Sequence, residues 1–163
     1  MIEVLDDFFS QEIHEKIWQL VKRPKWSLTG GNPSDRFWHM NDLEGERYFN
    51  TYLFKIICKK LNRSFKIRRV YANGQTAGQC GVPHRDDGDV TVLYYPNPEW
   101  KLDWQGHFMV LEGDDSSSEI ARTITYKPNR AIILPANIYH YADAPHRMFN
   151  GLRISVAWKL LKK

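Results

Sequence analysis

The chain has 163 residues, 42% of them hydrophobic and 13% aromatic, which is enough to build one folded domain around a buried core and excludes a disordered chain. No apolar run approaches the roughly 20 residues of a transmembrane helix, and the N-terminus lacks a secretory signal pattern. The sequence holds two cysteines, Cys58 and Cys80. We therefore expect a reduced, cytoplasmic protein that does not span a membrane.

The formal net charge is +4, and much of it comes from residues 55–69 and from the terminal KLLKK. A basic cluster of this kind is one signature of a nucleic-acid partner. It is also typical of a solvated helix face followed by a frayed tail, and we favour that interpretation. We do not expect nucleic acid as a partner.

The N-terminal part of the chain predicts helices. A short strand within residues 2–8 precedes a helix that Ser10 would cap and Pro24 would end. Residues 27–36 contain two glycines and a proline and predict a loop, either an ordinary surface connection or a lid over a site. A second helix is expected over residues 43–61.

From residue 65 onward the pattern predicts strands. Six β-rich runs are separated by Gly, Pro, Asn and Asp, and they cover residues 65–73, 89–97, 106–113, 121–128, 130–137 and 152–160. Helices followed by strands indicate an α+β fold that is mainly β, with the helices supporting an antiparallel sandwich or barrel. We expect a single domain over 1–163, with 1–64 as helical support and 65–163 as the core that carries the site.

The segment GVPHRDDGD places His84 and Asp86 one residue apart, just before an apolar strand. Residues i and i+2 of a strand point to the same side, so an imidazole and a carboxylate would converge there. Two histidines and one carboxylate that leave coordination positions open form the facial triad of non-haem Fe(II) oxygenases. A second histidine is therefore needed from elsewhere in the chain.

Two histidines compete for the third ligand position. His140 follows the strand-like segment RAIILPAN, whereas His146 lies in a segment typical of a connecting loop. We favour His140 because a residue beside a strand is held more rigidly, and we keep His146 as the alternative. Open positions on such a metal would take a co-substrate and O₂.

Arg153 begins the last strand and alternates with apolar residues, so it shares a face with Ser155 and Ala157. A buried guanidinium needs an anionic partner. Its planar fork suits the distal carboxylate of a dicarboxylic co-substrate, and an acidic side chain within the protein is the alternative partner.

The stretch from Arg69 to Leu160 resembles the Fe(II)/2-oxoglutarate-dependent oxygenases, in particular their prolyl 4-hydroxylase-like branch. The resemblance rests on YANGQTAGQCGVPHRDDGDVTVLYYPNPEW, WQGHFMVLEGDD, PNRAIILPANIYHYADAP and RISVAWKL, in that order, and extends to EVLDDFFSQEIHEKIW near the N-terminus. It implies a double-stranded β-helix (jelly roll) core with supporting N-terminal helices. It also implies a hydroxylase that uses Fe(II), 2-oxoglutarate and O₂ and releases succinate and CO₂.

Carried over by position, the resemblance assigns roles to individual residues. His84, Asp86 and His140 would bind iron, and Arg153 would bind the 5-carboxylate of 2-oxoglutarate. Two tyrosines would line the co-substrate pocket, Tyr95 on that carboxylate and Tyr71 on an earlier strand. The substrate would be a small molecule or a peptide, with prolyl groups as one candidate.

The chain departs from the family pattern at two places. His107 stands where the family has glycine, after Trp104, and these two residues are candidates for substrate contact. An outward-facing His107 and a Trp104 in the core or at the rim are the alternatives. The 13 residues from His140 to Arg153 also make a long spacing. An insertion at HRMFNG would explain it, and so would His146 as the ligand.

A non-redox, cupin-like metal- or sugar-binding β-barrel is the competing function. The absence of a His-x-His pair from the sequence counts against it.

Overall fold

A computed structural model describes residues 1–29, 36–113, 118 and 121–163. Its α-helices are α1 (Gln11–Val21) and α2 (Phe54–Leu61). Its strands in chain order are β1 (Glu3–Leu5), β2 (Ser27–Thr29), β3 (Phe37–Met40), β4 (Phe65–Gln75), β5 (Val90–Tyr94), β6 (Phe108–Leu111), β7 (Ala121–Ile124), β8 (Ala131–Pro135), β9 (His140–Ala142) and β10 (Arg153–Lys162).

The strands form two sheets, in which all the neighbouring pairs are antiparallel. The larger sheet has the order β1-β8-β5-β10-β4-β3-β2, and the smaller has the order β7-β6-β9. Apolar side chains of both sheets pack together in one cluster, so the small sheet covers the central strands of the large one. This is the mainly β, α+β arrangement that the sequence predicts.

Helix α1 begins as predicted, with the Ser10 hydroxyl accepting a hydrogen bond from the Ile13 amide at 3.4 Å. The helix predicted over 43–61 is less regular. It consists of a 3₁₀ turn at Leu43–Gly45, a π-helical segment at Tyr48–Leu53 and then α2. Near the irregular start, the Asn50 side chain donates to the Glu44 carbonyl at 2.6 Å and so competes with the regular helical pattern.

Three strands, β2, β3 and β9, are additional to the six that the sequence predicts. With β1, the first two place three strands of the N-terminal segment in the large sheet, so this segment adds strands as well as helices. The division into support and core remains a prediction. The proposed lid over 27–36 overlaps β2 at its start, and its residues 30–35 lie outside the described residues.

The two faces of the large sheet have different neighbours. On β10, Ile154, Val156, Trp158 and Leu160 join the apolar cluster that includes the buried apolar residues of α1 and α2. The alternate residues of β10 are Arg153, Ser155, Ala157 and Lys159, and all four line a cavity on the side of the small sheet. Strand alternation therefore separates a helix-covered face from a face that carries polar groups.

Candidate metal centre

His84 and His140 are paired across an isolated antiparallel bridge. The His84 amide donates to the His140 carbonyl and the His140 amide donates to the His84 carbonyl, each at 3.0 Å. The centroids of the two imidazole rings lie 4.6 Å apart. Backbone pairing thus brings together two potential ligands that are far apart in the sequence.

The hydrogen bonds of each ring fix which nitrogen faces the site. His84 Nδ1 lies 2.8 Å from the Val82 carbonyl, and His140 Nδ1 lies 2.8 Å from the Ile138 carbonyl. A carbonyl oxygen can only accept, so both Nδ1 atoms carry the hydrogen. In the neutral rings this leaves the Nε2 lone pairs available to a metal.

Asp86 completes the group. Its amide donates to the Ala136 carbonyl at 2.8 Å, which fixes the backbone beside β8. Its Oδ1 lies 3.5 Å from His84 Nε2, and its Oδ2 lies 3.4 Å from His140 Nε2. One ligand atom from each of the three residues lies within 4.8 Å of the others, so the set can hold a metal ion. Since the His84 side chain is 50% exposed and those of Asp86 and His140 are buried, the group is reached from the His84 side.

The surroundings keep Asp86 ionised. Burial by itself would raise the pKa of its carboxyl, but the imidazoles of His140 and His84 and the Lys159 ammonium together lower it. The same carboxylate raises the pKa of His84 against the effect of burial. An anionic carboxylate beside two imidazoles is the donor set that Fe(II) takes in facial triads.

Asp86 Oδ2 also has two partners on the large sheet. The Thr91 hydroxyl donates to it at 2.6 Å, and the ammonium of Lys159 forms an ion pair with it. The Lys159 side chain is 4% exposed, and its nitrogen also lies 3.3 Å from Thr91 Oγ1. Both residues line the same cavity as the three potential ligands.

Arg153 lies in this cavity as well and is fully buried. Its Nε donates to the Gly106 carbonyl at 2.6 Å and its Nη1 donates to Gln75 Oε1 at 2.8 Å. Its Nη2 is buried and has no hydrogen-bond partner among the described residues. The Arg153 guanidinium thus retains one nitrogen, Nη2, whose donors are unused, in the cavity that holds the triad.

Gly106 accommodates the arginine. It has φ +65°, and a Cβ added there would lie 2.9 Å from Arg153 Cδ. A side chain at this position would therefore be strained and would collide with the guanidinium stem. The close packing against Arg153 therefore requires glycine at position 106, the first residue of the Gly106-His107 pair.

The two tyrosines assigned by resemblance lie at different places. Tyr71 lines the cavity, with its ring 5.7 Å from the Lys159 nitrogen. Tyr95 is fully buried behind Arg153, with 5.3 Å between its ring centroid and the Arg153 Cζ, and its ring stacks on Tyr126. The Tyr95 hydroxyl is buried without a hydrogen-bond partner among the described residues, and burial raises its pKa. It is a second unused donor group near Arg153, and its contact with 2-oxoglutarate remains a prediction.

The other candidate residues lie away from the triad. His107 accepts a hydrogen bond from the Tyr126 amide through Nδ1 at 3.3 Å, and burial lowers its pKa. Trp104 packs on Trp100 and Phe149. His146 accepts from the Met148 amide at 3.2 Å in the connection between β9 and β10. The structure thus brings His140, and not His146, to His84 and Asp86; substrate contact by His107 or Trp104 remains a prediction.

A polar groove adjoins the cavity at His84 and Asp86. Its other walls come mainly from β3, β4 and the residues just after the His84 bridge, and include Phe37, His39, Arg69, Tyr71, Asn73 and Arg85. Arg69 stacks on Tyr71 at 4.6 Å and Arg85 stacks on Tyr139 at 4.4 Å, as distances from Cζ to the ring centroid. This groove borders two of the three residues of the triad, His84 and Asp86.

Sequence reasoning missed several residues of the site. Lys159 shares the face of Arg153 by strand alternation, a signal present in LRISVAWKL, but its contact with Asp86 is not visible from the sequence. The contact of Thr91 with Asp86 is likewise not visible from the sequence. Gln75 and Asn73 lie on β4, where polar residues gave no sign that they face inward; Asn73 Oδ1 is buried without a partner among the described residues.

Known proteins are similar to this chain in structure and not in sequence. No family model and no curated protein matches the sequence. Solved structures do match: HygX from Streptomyces hygroscopicus, with nickel and 2-oxoglutarate bound, superposes with a TM-score of 0.78 over 99% of this chain and 83% of that one, at 12% identity. A prolyl hydroxylase from Trichoplax adhaerens, in complex with a hypoxia inducible factor peptide fragment, gives 0.74 over 99% and 83%, at 14% identity.

A third structure belongs to a viral collagen prolyl hydroxylase from Paramecium Bursaria Chlorella virus-1, solved as a 2-oxoglutarate complex. It gives a TM-score of 0.71 over 99% of this chain and 96% of that one, at 14% identity. The chain has the fold of the 2-oxoglutarate-Fe(II) oxygenases. The predicted double-stranded β-helix is therefore confirmed.

Proposed function

We propose that this protein is an Fe(II)- and 2-oxoglutarate-dependent dioxygenase that hydroxylates a carbon of a small molecule or a peptide. The observation that carries the proposal is one cavity that holds both the His84–Asp86–His140 group and the buried Arg153. The first offers two imidazoles and a carboxylate to a metal, and the second offers a guanidinium to an anion.

The residues present fit both bound groups. His84, Asp86 and His140 would hold Fe(II), since their hydrogen bonds leave two Nε2 lone pairs and an ionised carboxylate facing one point. Arg153 would hold the 5-carboxylate of 2-oxoglutarate, because its buried Nη2 lacks an acceptor within the described chain. The Tyr95 hydroxyl is the second donor that we assign to this carboxylate.

When bound, iron and 2-oxoglutarate supply the oxidation: one atom of O₂ enters succinate, the other becomes the hydroxyl of the product, and CO₂ is released. The chain's own residues perform three other tasks. Arg153 would orient the co-substrate, and the triad would hold the metal. Apolar side chains that line the cavity, such as Leu93 and Phe108, would exclude water from it.

The substrate would approach through the polar groove beside His84. HygX has also been solved with hygromycin B, and the Trichoplax enzyme with a peptide, so this fold is found with both kinds of ligand. We assign the substrate to these two classes, with a prolyl group as one candidate, and do not assign nucleic acid.

No helix within the described residues has the length and apolar character needed to cross a bilayer. Cys58 and Cys80 are both free, which agrees with the cytoplasmic, reduced location that we propose.

The test is an anaerobic titration of metal-free protein with Fe(II) and then 2-oxoglutarate, followed by the visible charge-transfer band of the chelate. We expect the band in the wild-type chain, its loss in His140→Ala and its retention in the matched variant His146→Ala. Succinate release under O₂ would then identify substrates. A wild-type chain that binds metal but forms no band would contradict the proposal and leave the cupin-like barrel.

A further inference from the structure

We propose that Lys159 is a positioning residue that holds Asp86 by one oxygen, so that only the other oxygen is presented to the metal. The inference rests on the proposed function, since it concerns the same metal centre. It assigns a role to a residue that neither the motif nor the triad geometry requires.

Burial makes Lys159 unusual. The residue is 3% exposed and lies on the cavity face of β10. A buried ammonium is costly unless it is paired, and the partner of Lys159 is Asp86 Oδ2. The pair therefore fixes the orientation of the carboxylate before any metal is bound.

The two oxygens of Asp86 have different surroundings. Oδ2 receives the Thr91 hydroxyl at 2.6 Å and the Lys159 ammonium. Oδ1 has neither of these donors, while each oxygen lies near one imidazole, Oδ1 3.5 Å from His84 Nε2 and Oδ2 3.4 Å from His140 Nε2. With its lone pairs engaged, Oδ2 is a poor second ligand, so Asp86 is set to coordinate through Oδ1 alone. One-oxygen coordination leaves positions open for the co-substrate and O₂.

Lys159 also changes the charge of the site. A fixed cation next to a ligand repels a divalent metal and attracts an anion. The 2-oxoglutarate dianion would therefore meet an ammonium at one end of the cavity face of β10 and a guanidinium, that of Arg153, at the other. Removing Lys159 should strengthen metal binding and weaken co-substrate binding, two effects of opposite sign.

The experiment compares Lys159→Met with the wild-type chain. Metal affinity is measured anaerobically by titration with Co(II), and 2-oxoglutarate affinity from the charge-transfer band of the Fe(II)-loaded protein. We expect Lys159→Met to bind Co(II) about tenfold more tightly and 2-oxoglutarate about tenfold more weakly, because a cation that repels the metal and attracts the dianion is removed. Thermal melting of the metal-free chains shows that both are folded.

Two further variants complete the test. Lys162→Met removes a lysine from the exposed end of the same strand and should leave both affinities within about twofold of wild type. Thr91→Val keeps the ammonium and removes the other donor to Oδ2. It should weaken 2-oxoglutarate binding by about threefold without strengthening Co(II) binding.

The outcomes separate this inference from the proposed function. A wild-type chain that binds neither Fe(II) nor 2-oxoglutarate would refute both. If wild type binds both, then a Lys159→Met chain in which the two affinities fall together, or stay unchanged, overturns the positioning role alone. If Lys159→Met does not fold, Lys159→Gln replaces it, because its neutral amide removes the charge and keeps a hydrogen-bond donor: opposite shifts of the two affinities support the role, and any other result overturns it.

Discussion

The two faces of the large sheet are built from the same strands, yet they have opposite characters. The face toward α1 and α2 is filled by apolar side chains such as Val92, Val156 and Trp158. The face toward the small sheet carries Arg153, Lys159 and the partners of Asp86. Successive residues of β10 thus either pack in the apolar core or line the cavity of the proposed site, according to the side they face. Thr91 and Lys159 can be buried on the cavity side because both pair with Asp86.

The largest effect on metal binding should come from the cavity side. We expect His84→Ala to lower metal affinity by at least about a hundredfold, because one of the three proposed ligands is lost. Its free energy of unfolding should change by less than about 0.5 kcal/mol, because the His84 side chain is half-exposed. Metal titration and urea denaturation of the metal-free chain measure the two quantities. A large loss of stability would show that the two faces are not separable.

The helix-covered face should give the converse result. Trp158 is fully buried, and its indole nitrogen lies 3.3 Å from the Phe49 carbonyl. Trp158→Ala should lower the free energy of unfolding by about 3–5 kcal/mol through the cavity that it leaves. Chemical denaturation measures this loss. The metal affinity of the protein that remains folded should stay near the wild-type value, and a parallel loss of affinity would contradict the comparison.

Arg153 tests the far end of the cavity. We expect Arg153→Met to weaken 2-oxoglutarate binding by about ten- to a hundredfold, which corresponds to the loss of hydrogen bonds from a charged donor. Metal affinity should be retained, since Arg153 contacts none of the three ligands in the structure. Arg147→Met, at an exposed arginine between β9 and β10, is the matched control. Equal losses in both variants would argue against a specific site.

The smallest effect concerns an ion pair that belongs to neither face. Hydrogen bonds from Arg130 and Lys127 lower the pKa of Asp6 from 3.8 to about 2. A carboxyl with a lowered folded-state pKa stabilises the fold above its unfolded value, and the contribution is lost as the pH falls from about 4 to about 2. With solvent screening of a 38% exposed carboxylate, Asp6→Asn should cost about 1 kcal/mol at pH 7.

Urea denaturation of wild type and Asp6→Asn at pH 7 and at pH 3 measures this dependence. The difference between the two chains should be smaller at the lower pH, where more of the wild-type carboxyl is protonated. A difference that grows on acidification would have the wrong sign. Metal affinity at pH 7 should be the same in both chains.

Local sequence patterns predicted several of these features. The alternation of β10 placed Arg153 on the face opposite Ile154, and the hydroxyl of Ser10 capped α1 where expected. The spacing of His84 and Asp86 predicted that their side chains converge. These features depend on the period of a strand or on one turn of a helix, so neighbouring residues determine them.

Features that depend on contacts between distant parts of the chain could not be predicted from local patterns. The short strands β2, β3 and β9 lack a distinct local pattern, and their pairing with distant strands defines them. The choice between His140 and His146 depends on which backbone reaches His84, and the bridge between His84 and His140 supports the proposal of His140. Tertiary context also divided the expected helix over 43–61 into three segments.

The sequence by itself determined which residues could bind a metal and an anion, because residue chemistry and strand period are local properties. Only the tertiary structure decided which of them meet. Strand pairing brought His140 to His84, and the register of β10 against β5 placed Lys159 opposite Thr91, where both reach Asp86. Such pairings depend on the packing of whole sheets and the turns between them, since a shift of one residue would turn Arg153 and Lys159 toward the helices.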